Sequence, residues 1–270
     1  MALKLSRFFT VCLVIFSACS TSPLGRKQLM LVGESQMDEM GLQSFEQIKH
    51  DTPIETDPAI NAYVKCIVGP ITQRAAGSTG ISNWEIVVFR SKEVNAFALP
   101  GGKIGVFTGI LPVTKTAAQL AAVLGHETGH VIAKHGAERV SQGLLAQGVT
   151  TAAGVGLQNS KYQPIILAGL GVGAQYGYLL PHSREQEAEA DLIGLDLMSE
   201  AGFDPRQSVD LWRNMSAASG GKEPPAWMST HPSNESRISA LQARIPSALP
   251  KYEAAVEAGR APNCPRPAGI

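Results

Sequence analysis

The spacing of apolar positions predicts a chain built mainly of helices. Apolar residues recur at helical spacing over residues 34–50 and 57–75, and the pair Asp57-Pro58 favours a helix start. Further helices are predicted over residues 183–200, 205–218 and 234–245.

The strand signal is confined to a short stretch before the middle of the chain. Residues 84–89 form an apolar run of strand length, and residues 94–99 and 103–110 flank Pro100-Gly101-Gly102. Such a flanked Pro-Gly-Gly sequence is typical of a hairpin whose turn depends on glycine. Together with the helices, these strands predict an α+β fold that is predominantly helical.

A long helix is predicted over residues 117–143, opened by the capping-box pair Thr116 and Gln119. The next segment, residues 144–180, contains two apolar runs rich in Gly, Ala and Leu. Each run is shorter than the roughly 20 residues that a membrane span needs, so we predict buried small-residue helices. Membrane insertion of these runs is the alternative interpretation.

The N-terminus is typical of an export signal. Lys4 and Arg7 precede an apolar stretch at residues 8–17, which is too short to span a bilayer stably. We interpret residues 1–18 as a signal peptide, of the lipoprotein type because Cys19 follows it.

Residues 16–19, Phe-Ser-Ala-Cys, are similar to the lipobox of bacterial lipoproteins, in which the cysteine is lipidated and becomes the mature N-terminus. Cys19 would then hold the protein on a membrane without a spanning helix. Ser20 and Thr21 lack the Asp typical of retention at the inner membrane, which implies the outer membrane, facing the periplasm. Phe16 departs from the usual Leu, so cleavage without lipidation is the alternative.

Composition limits the number of domains and the kinds of partner. The 270 residues are 44% hydrophobic and carry 23 basic and 23 acidic side chains, with no basic run. Nucleic acid is therefore excluded as an expected partner. We expect one domain over residues 34–250, preceded by a tether at 19–33 and followed by a C-terminal tail at 251–270.

The four cysteines fit an oxidising compartment. Cys12 would be lost with the signal peptide and Cys19 would carry lipid, which leaves Cys66 and Cys264 as the remaining pair. We predict a disulfide between them. The alternative is two unpaired thiols, because the sequence does not give the distance between their Cα atoms.

The central chemical motif is His126-Glu127-Thr128-Gly129-His130 inside the long predicted helix. Residues four apart share one helix face, so both imidazoles can reach one cation while Glu127 projects beside it. An amphipathic helix with solvated side chains is the alternative. The apolar residues on both sides of the motif favour a buried site instead.

Two histidines require a third metal ligand. A metzincin needs glycine and histidine where this chain has Ala133 and Gly136, so that family is excluded. His135 lies about 140° round the same helix from His130 and is expected to point elsewhere, as a structural or surface residue.

An acidic helix start at residues 183–191 offers the best third ligand. Glu187 and Asp191 share one face, which suits a carboxylate ligand and a partner that orients a zinc-bound imidazole. Glu185 and Glu189 lie off that face and are predicted to be solvated.

Together these motifs resemble peptidase family M48, gluzincin metallopeptidases of the HtpX and CaaX prenyl protease type, in its soluble lipoprotein branch. The matching segments are His126-Glu127-x-x-His130, Ser183-Arg184 followed by Glu187-x-x-Ala190-Asp191, residues 95–102, Thr230-His231-Pro232 with Arg237, and residues 25–29. The resemblance implies a zincin-like fold with a small antiparallel β-sheet beside the His-Glu-x-x-His helix.

The resemblance also implies the roles of individual residues. One Zn²⁺ per chain would be bound by His126, His130 and Glu187. Glu127 would be the general base, and Asp191 would support a ligand from behind.

Two later residues complete the implied site. His231 and Arg237 resemble a pair that contributes near the metal and to the developing oxyanion. The strand formed by Asn95, Ala96, Phe97 and Ala98 would pair with an extended substrate backbone.

The implied function is a zinc metalloendopeptidase that hydrolyses peptide bonds in unfolded or misassembled cell-envelope proteins. Two alternatives stay open. One is a protease-derived chaperone or assembly factor for outer-membrane proteins with little turnover, and the other is an integral membrane protease.

Overall fold

The computed structural model describes residues 19–146, 163–170, 183–219, 226–231 and 235–270. The predicted signal peptide and most of the two small-residue runs lie outside the described residues. Among the described residues, none of the helices has the combination of length and apolar character needed to cross a membrane.

Helices dominate the described chain, which confirms the predominantly helical α+β prediction. In chain order the elements are β1 (Cys19–Thr21), β2 (Lys27–Leu29), α1 (Glu34–Asp51), α2 (Pro58–Thr79), β3 (Glu85–Phe89), β4 (Ala96–Leu99), β5 (Lys103–Phe107), a 3₁₀ turn (Thr108–Ile110), α3 (Ala117–Ile132), α4 (His135–Ala146), α5 (Gln163–Gly169), α6 (Arg184–Glu200), α7 (Gln207–Ser219), α8 (Ala226–Thr230) and α9 (Glu235–Glu257).

Helix starts follow the sequence signals. The Asp57 side chain accepts hydrogen bonds from the backbone N–H groups of Ala59 and Ile60, and Pro58 is the first helical residue. Thr116 caps α3 by accepting from the N–H of Gln119. These side chains satisfy donors that a helix start otherwise leaves unpaired.

The three-stranded sheet is mixed, so the prediction of an antiparallel sheet is wrong in one pairing. The strand order is β3-β5-β4, with β4 antiparallel to β5 but β3 parallel to it. β4 runs antiparallel to β3 but one strand position away from it, and the tight turn at Gly101 and Gly102, both at φ 73°, places β5 between the two strands. β4 therefore lies at the edge of the sheet.

Helices α3 and α6 pack closely through glycine. A Cβ atom on Gly125 would lie 2.7 Å from the carbonyl oxygen of Gly194, and one on Gly129 would lie 2.8 Å from that of Ala190. Real Cβ atoms do not approach backbone so closely, so these positions require glycine while the two helices keep this separation.

The long helix predicted over residues 117–143 is in fact two helices, α3 and α4. The chain turns at Lys134, whose φ of 54° lies in the left-handed region although it is not glycine. The neighbouring carbonyl of Ala133 accepts a hydrogen bond of 2.7 Å from the side chain of Gln28. A distant segment therefore supports this break, which local sequence rules do not detect.

The predicted tether at residues 19–33 instead contains the antiparallel hairpin β1–β2. Gln28 is only 4% exposed, and Arg26 forms ion pairs with Glu138 of α4 and Glu189 of α6. The prediction failed because these partners lie more than one hundred residues away in the sequence.

Helix α9 continues to Glu257, past the helix end predicted at residue 245 and the domain boundary predicted at 250. Pro246 and Pro250 lie inside the helix, where proline normally indicates a helix end. Ala248 and Ala255 are fully buried, so tertiary packing maintains the helix across both prolines.

The C-terminal tail is docked against the N-terminal half. The structure joins Cys66 and Cys264, whose Cα atoms are 5.7 Å apart, by a disulfide across 198 residues of sequence. Arg266 donates hydrogen bonds to the carbonyls of Leu111 and Thr114, at 2.7 and 2.6 Å.

We expect the Cys66–Cys264 disulfide to stabilise the fold. The double variant Cys66→Ala/Cys264→Ala should lose about 2–4 kcal/mol of unfolding free energy, because the link restricts the unfolded chain. Chemical denaturation of the variant and of oxidised and reduced wild type measures this loss. Recovery of two free, alkylatable thiols from unreduced protein would contradict the pairing.

Candidate metal centre

The two histidines of the central motif lie one turn apart on the same face of α3. Their Nε2 atoms are 3.0 Å apart, and both side chains are buried. The spacing in the sequence predicted this arrangement of His126 and His130.

Glu187 meets this pair from α6. Its Oε2 lies 3.5 Å from Nε2 of His126, and its Oε1 lies 3.4 Å from Nε2 of His130. The side chain is 1% exposed. The structure therefore brings together the three residues that were predicted as metal ligands.

His231 joins the same cluster. Its Nδ1 lies 3.2 Å from Nε2 of His126 and 3.0 Å from Oε1 of Glu187. One donor atom from each of His126, His130, Glu187 and His231 lies within 4.8 Å of the other three. Four donors at this separation could hold one metal ion.

The chemistry of the cluster fits zinc. Imidazole nitrogens and one carboxylate oxygen are the donors that zinc accepts in a four-coordinate site. Oε2 of Glu187 is a buried atom with no hydrogen-bond donor among the described residues, although Arg237 forms an ion pair with it. The cluster thus offers three imidazoles and one carboxylate to a single ion.

Asp191 supports His126 from behind. Its Oδ1 lies 2.9 Å from Nδ1 of His126, and Arg237 donates two hydrogen bonds of 2.7 Å to the same carboxylate. The Arg237 guanidinium also lies 4.3 Å from the ring centroid of Trp212. Such a carboxylate fixes the orientation of a ligating imidazole. The predicted contact of Arg237 with an oxyanion stays a prediction.

Burial and neighbouring charges set the protonation of the cluster. Burial lowers the pKa of His130 well below its ordinary value. Burial would raise the pKa of Glu187, but the nearby imidazoles of His231 and His126 hold this pKa well below its ordinary value. A neutral imidazole and an ionised carboxylate are the forms that bind a metal.

His126 is the exception among these groups. Burial alone would lower its pKa, but the hydrogen bond that its Nδ1 donates to Asp191 and the charge of Glu187 raise the pKa above its ordinary value. Without a metal this ring therefore retains a proton more readily than His130 does.

The prediction that His135 points away from the site is wrong. His135 is fully buried, its Nδ1 lies 2.8 Å from Nδ1 of His130, and its Nε2 lies 3.0 Å from Oε2 of Glu189. Burial lowers the pKa of His135 to about 4. The angle of 140° assumed a continuous helix, whereas the break at Lys134 turns His135 back towards His130.

Glu189 was also predicted to be solvated, and this prediction is wrong. Its side chain is 5% exposed because His135 and Arg26 surround it. Glu185, two residues earlier, is exposed as predicted.

Sequence reasoning missed Trp227. Its Nε1 donates a 2.6 Å hydrogen bond to Oε1 of Glu127, and its ring stacks on His231 with centroids 5.0 Å apart. Nε2 of His231 lies 3.4 Å from the same oxygen of Glu127. Trp227 belongs to no spacing pattern around the motif, so only the fold reveals this contact.

A cavity of about 100 Å³ opens beside the metal cluster. Polar side chains of the cluster and apolar side chains from α1, β4 and α4 form its walls, among them Glu127, His130, His231, Met37, Phe97, Ala98 and Ala137. Of the predicted substrate strand, Phe97 and Ala98 line this cavity. Asn95 and Ala96 are buried elsewhere, and the Asn95 carbonyl accepts a hydrogen bond from the N–H of Phe107.

Comparison with known proteins places this arrangement among metallopeptidases. Mitochondrial metalloendopeptidase OMA1 of Schizosaccharomyces pombe is 42% identical over 190 residues, covering 69% of this chain and 54% of that protein. Metalloendopeptidase OMA1 of Bos taurus is 34% identical over 270 residues, covering 93% of this chain and 49% of that protein.

A bacterial relative is more distant. Beta-barrel assembly-enhancing protease of Escherichia coli K12 is 24% identical over 228 residues, covering 82% of this chain and 46% of that protein. The chain thus spans about half the length of the curated relatives it matches. The model of Peptidase family M48 matches residues 58–245, which include both helices that supply the predicted ligands. Since this match covers more than half of the sequence, the chain belongs to peptidase family M48.

Proposed function

We propose that this protein is a zinc metalloendopeptidase that hydrolyses peptide bonds in unfolded or misassembled proteins of the cell envelope. The observation that carries the proposal is the buried convergence of His126, His130 and Glu187 with Glu127 beside them. Family membership supports the same chemistry.

Glu127 is well placed to act as the general base. It follows a proposed ligand directly in the sequence, so it lies on α3 beside the ligand face, and it lines the cavity. The hydrogen bond from Trp227 holds one of its carboxylate oxygens in place. When bound, zinc lowers the pKa of a water molecule towards about 7 and polarises a peptide carbonyl. Glu127 would accept a proton from the attacking water and return it to the leaving amine.

An extended polypeptide fits the approach to this base. β4 lies at the edge of the sheet, and its residues Phe97 and Ala98 line the same cavity as Glu127. An edge strand binds a peptide through main-chain hydrogen bonds, which read little of its sequence and favour unfolded chains. The name of the Escherichia coli relative, beta-barrel assembly-enhancing protease, supports envelope proteins as substrates.

Glu127→Gln should retain near-stoichiometric zinc but lose about 10²- to 10⁴-fold in kcat on an unfolded substrate such as casein, because only the base is removed. Glu187→Ala should instead lower the zinc content, since two histidines remain from the proposed ligand set. Glu185→Ala is the matched control, being an exposed carboxylate on the same helix. Near-wild-type activity in Glu127→Gln would refute the base, and full zinc in Glu187→Ala would refute the third ligand.

A second function is a chaperone or assembly factor that binds unfolded chains and cleaves little. The position of His231 favours it, because its Nδ1 lies against His126 and Glu187 where a fourth donor would sit. Occupation of that position leaves less room for a catalytic water. We infer that His231 acts as a gate, which would keep turnover low in a resting state.

The gate makes a specific prediction for His231→Ala. The variant should keep its zinc and cleave casein faster than wild type, because the closing side chain is absent. His50→Ala is the matched control, since His50 lies on the surface of α1. If the variant keeps zinc but has a lower kcat, His231 assists catalysis instead. Unchanged kcat and kcat/KM would defeat both roles.

We further propose that Cys19 is lipidated and that the protein faces the periplasm from the outer membrane. Cys19 is exposed at the start of β1, where an attached lipid would not disturb the core. The mitochondrial names of the OMA1 relatives support the peptidase class but not this compartment.

Cys19→Ala should release the protein from membranes, because the lipid would be its only attachment under this proposal. Fractionation of cells into soluble and membrane pools, with detergent extraction of the latter, measures the change. A variant that stays fully in the membrane pool would favour insertion through residues 144–180.

A further inference from the structure

The N-terminal hairpin contacts the outer side of the metal cluster through Arg26. The guanidinium donates two hydrogen bonds of 2.6 Å to the carboxylate of Glu138, one to each oxygen. Its Nε donates a third, of 3.1 Å, to Oε2 of Glu189. Arg26 therefore joins α4 to α6 from a segment that contributes no ligand of its own.

A chain of hydrogen bonds connects Arg26 to the proposed ligand His130. Oε2 of Glu189, which accepts from Arg26, also lies 3.0 Å from Nε2 of His135. Nδ1 of His135 lies 2.8 Å from Nδ1 of His130. Glu189 and His135, the two groups between Arg26 and His130, are both buried.

The direction of this chain is fixed by what a metal needs. His130 must present a lone pair at Nε2, so its ring proton lies on Nδ1 and is donated to Nδ1 of His135. His135 then carries its own proton on Nε2 and donates it to Glu189. Oε2 of Glu189 accepts this hydrogen bond and the one from Nε of Arg26, one with each lone pair.

On the opposite side of the cluster, an arginine and a carboxylate also support a histidine ligand, in that order. Arg237 binds Asp191, and Asp191 binds Nδ1 of His126. On the His130 side an additional imidazole lies between the carboxylate and the ligand. Asp191 and Glu189 both belong to α6, so one helix supports both histidines of α3.

We propose that Arg26, acting through Glu189 and His135, is a positioning residue for His130, and that the β1–β2 hairpin is thus a functional part of the zinc site. The proposal rests on the zinc site of the proposed function. Gln28 reinforces the same arrangement, since its side chain donates to the Ala133 carbonyl and to Oε2 of Glu138, at 2.7 and 3.3 Å.

The first test measures zinc affinity in the full chain by competition with a chelator. Arg26→Gln should raise the zinc dissociation constant by about 10-fold, the lower end of the range for loss of outer partners of metal ligands. Lys27→Gln is the matched control, because Lys27 is a cation of the same hairpin whose side chain donates to the Thr21 hydroxyl, at 3.0 Å, and not to Glu138 or Glu189 among the described contacts. Equal affinities in the two variants would overturn the proposal.

A double-mutant cycle separates positioning from general stabilisation of the hairpin. His135→Ala interrupts the chain, so adding Arg26→Gln to it should cause no further loss of zinc affinity. If the two effects on the dissociation constant multiply instead, Arg26 acts independently of His135 and the proposal fails.

A further variant covers the case in which Arg26→Gln does not fold. Glu189→Gln keeps the size of the side chain and removes its charge. Like Arg26→Gln, it should raise the zinc dissociation constant. Unchanged affinity there would refute the proposal. A wild-type chain that binds no zinc would refute the proposed function itself, which distinguishes that failure from a failure of the positioning role.

Discussion

The close approach of α3 and α6 determines the geometry of the metal centre. A Cβ atom on Gly194 would lie 2.6 Å from the backbone nitrogen of His126, so even alanine there would force the helices apart. Zinc binds imidazole nitrogen at about 2.0–2.1 Å and carboxylate oxygen at about 2.0–2.2 Å. Because the histidines lie on α3 and Glu187 lies on α6, moving the helices apart by about one ångström would break the bond to Glu187. Three glycines at this contact, Gly125, Gly129 and Gly194, are therefore needed to keep the two helices at this separation.

Close packing also determines how the buried charges are arranged. Carboxylates removed from water are costly unless cations and hydrogen bonds surround them. Helix α6 places three acids at alternate positions, with Glu187 facing the cluster and Glu189 and Asp191 behind the two histidines. Each of the outer two is paired with an arginine from a different part of the chain, so the N-terminal hairpin and α9 both contribute to one site.

The sequence predicted those parts of the site that depend on a single helix. The spacing in α3 and α6 placed His126, His130, Glu187 and Asp191 together, and the family prediction is confirmed. Prediction from the sequence failed where a distant contact changes the local geometry. The helix breaks at Lys134 with support from Gln28, and this break brings His135 inward. Trp227 and the hairpin could not be found for the same reason, because their partners lie about one hundred residues or more away. The parallel pairing of β3 with β5 depends on strand order, which turn signals do not specify.

The short helix α8 links three parts of the cleft that are distant in sequence. The Trp227 side chain holds an oxygen of Glu127, while its backbone N–H donates to the carbonyl of Val94 just before β4. One turn later, His231 donates its N–H to the carbonyl of Trp227 and directs its imidazole at the cluster. Because one turn of helix fixes both side chains, His231 cannot leave the cluster by movement of the backbone without disturbing the contact between Trp227 and Glu127. Under the proposed function, a backbone movement of α8 that opened the fourth position would therefore also release Glu127, and the hydrogen bond to Val94 would transmit that movement to β4.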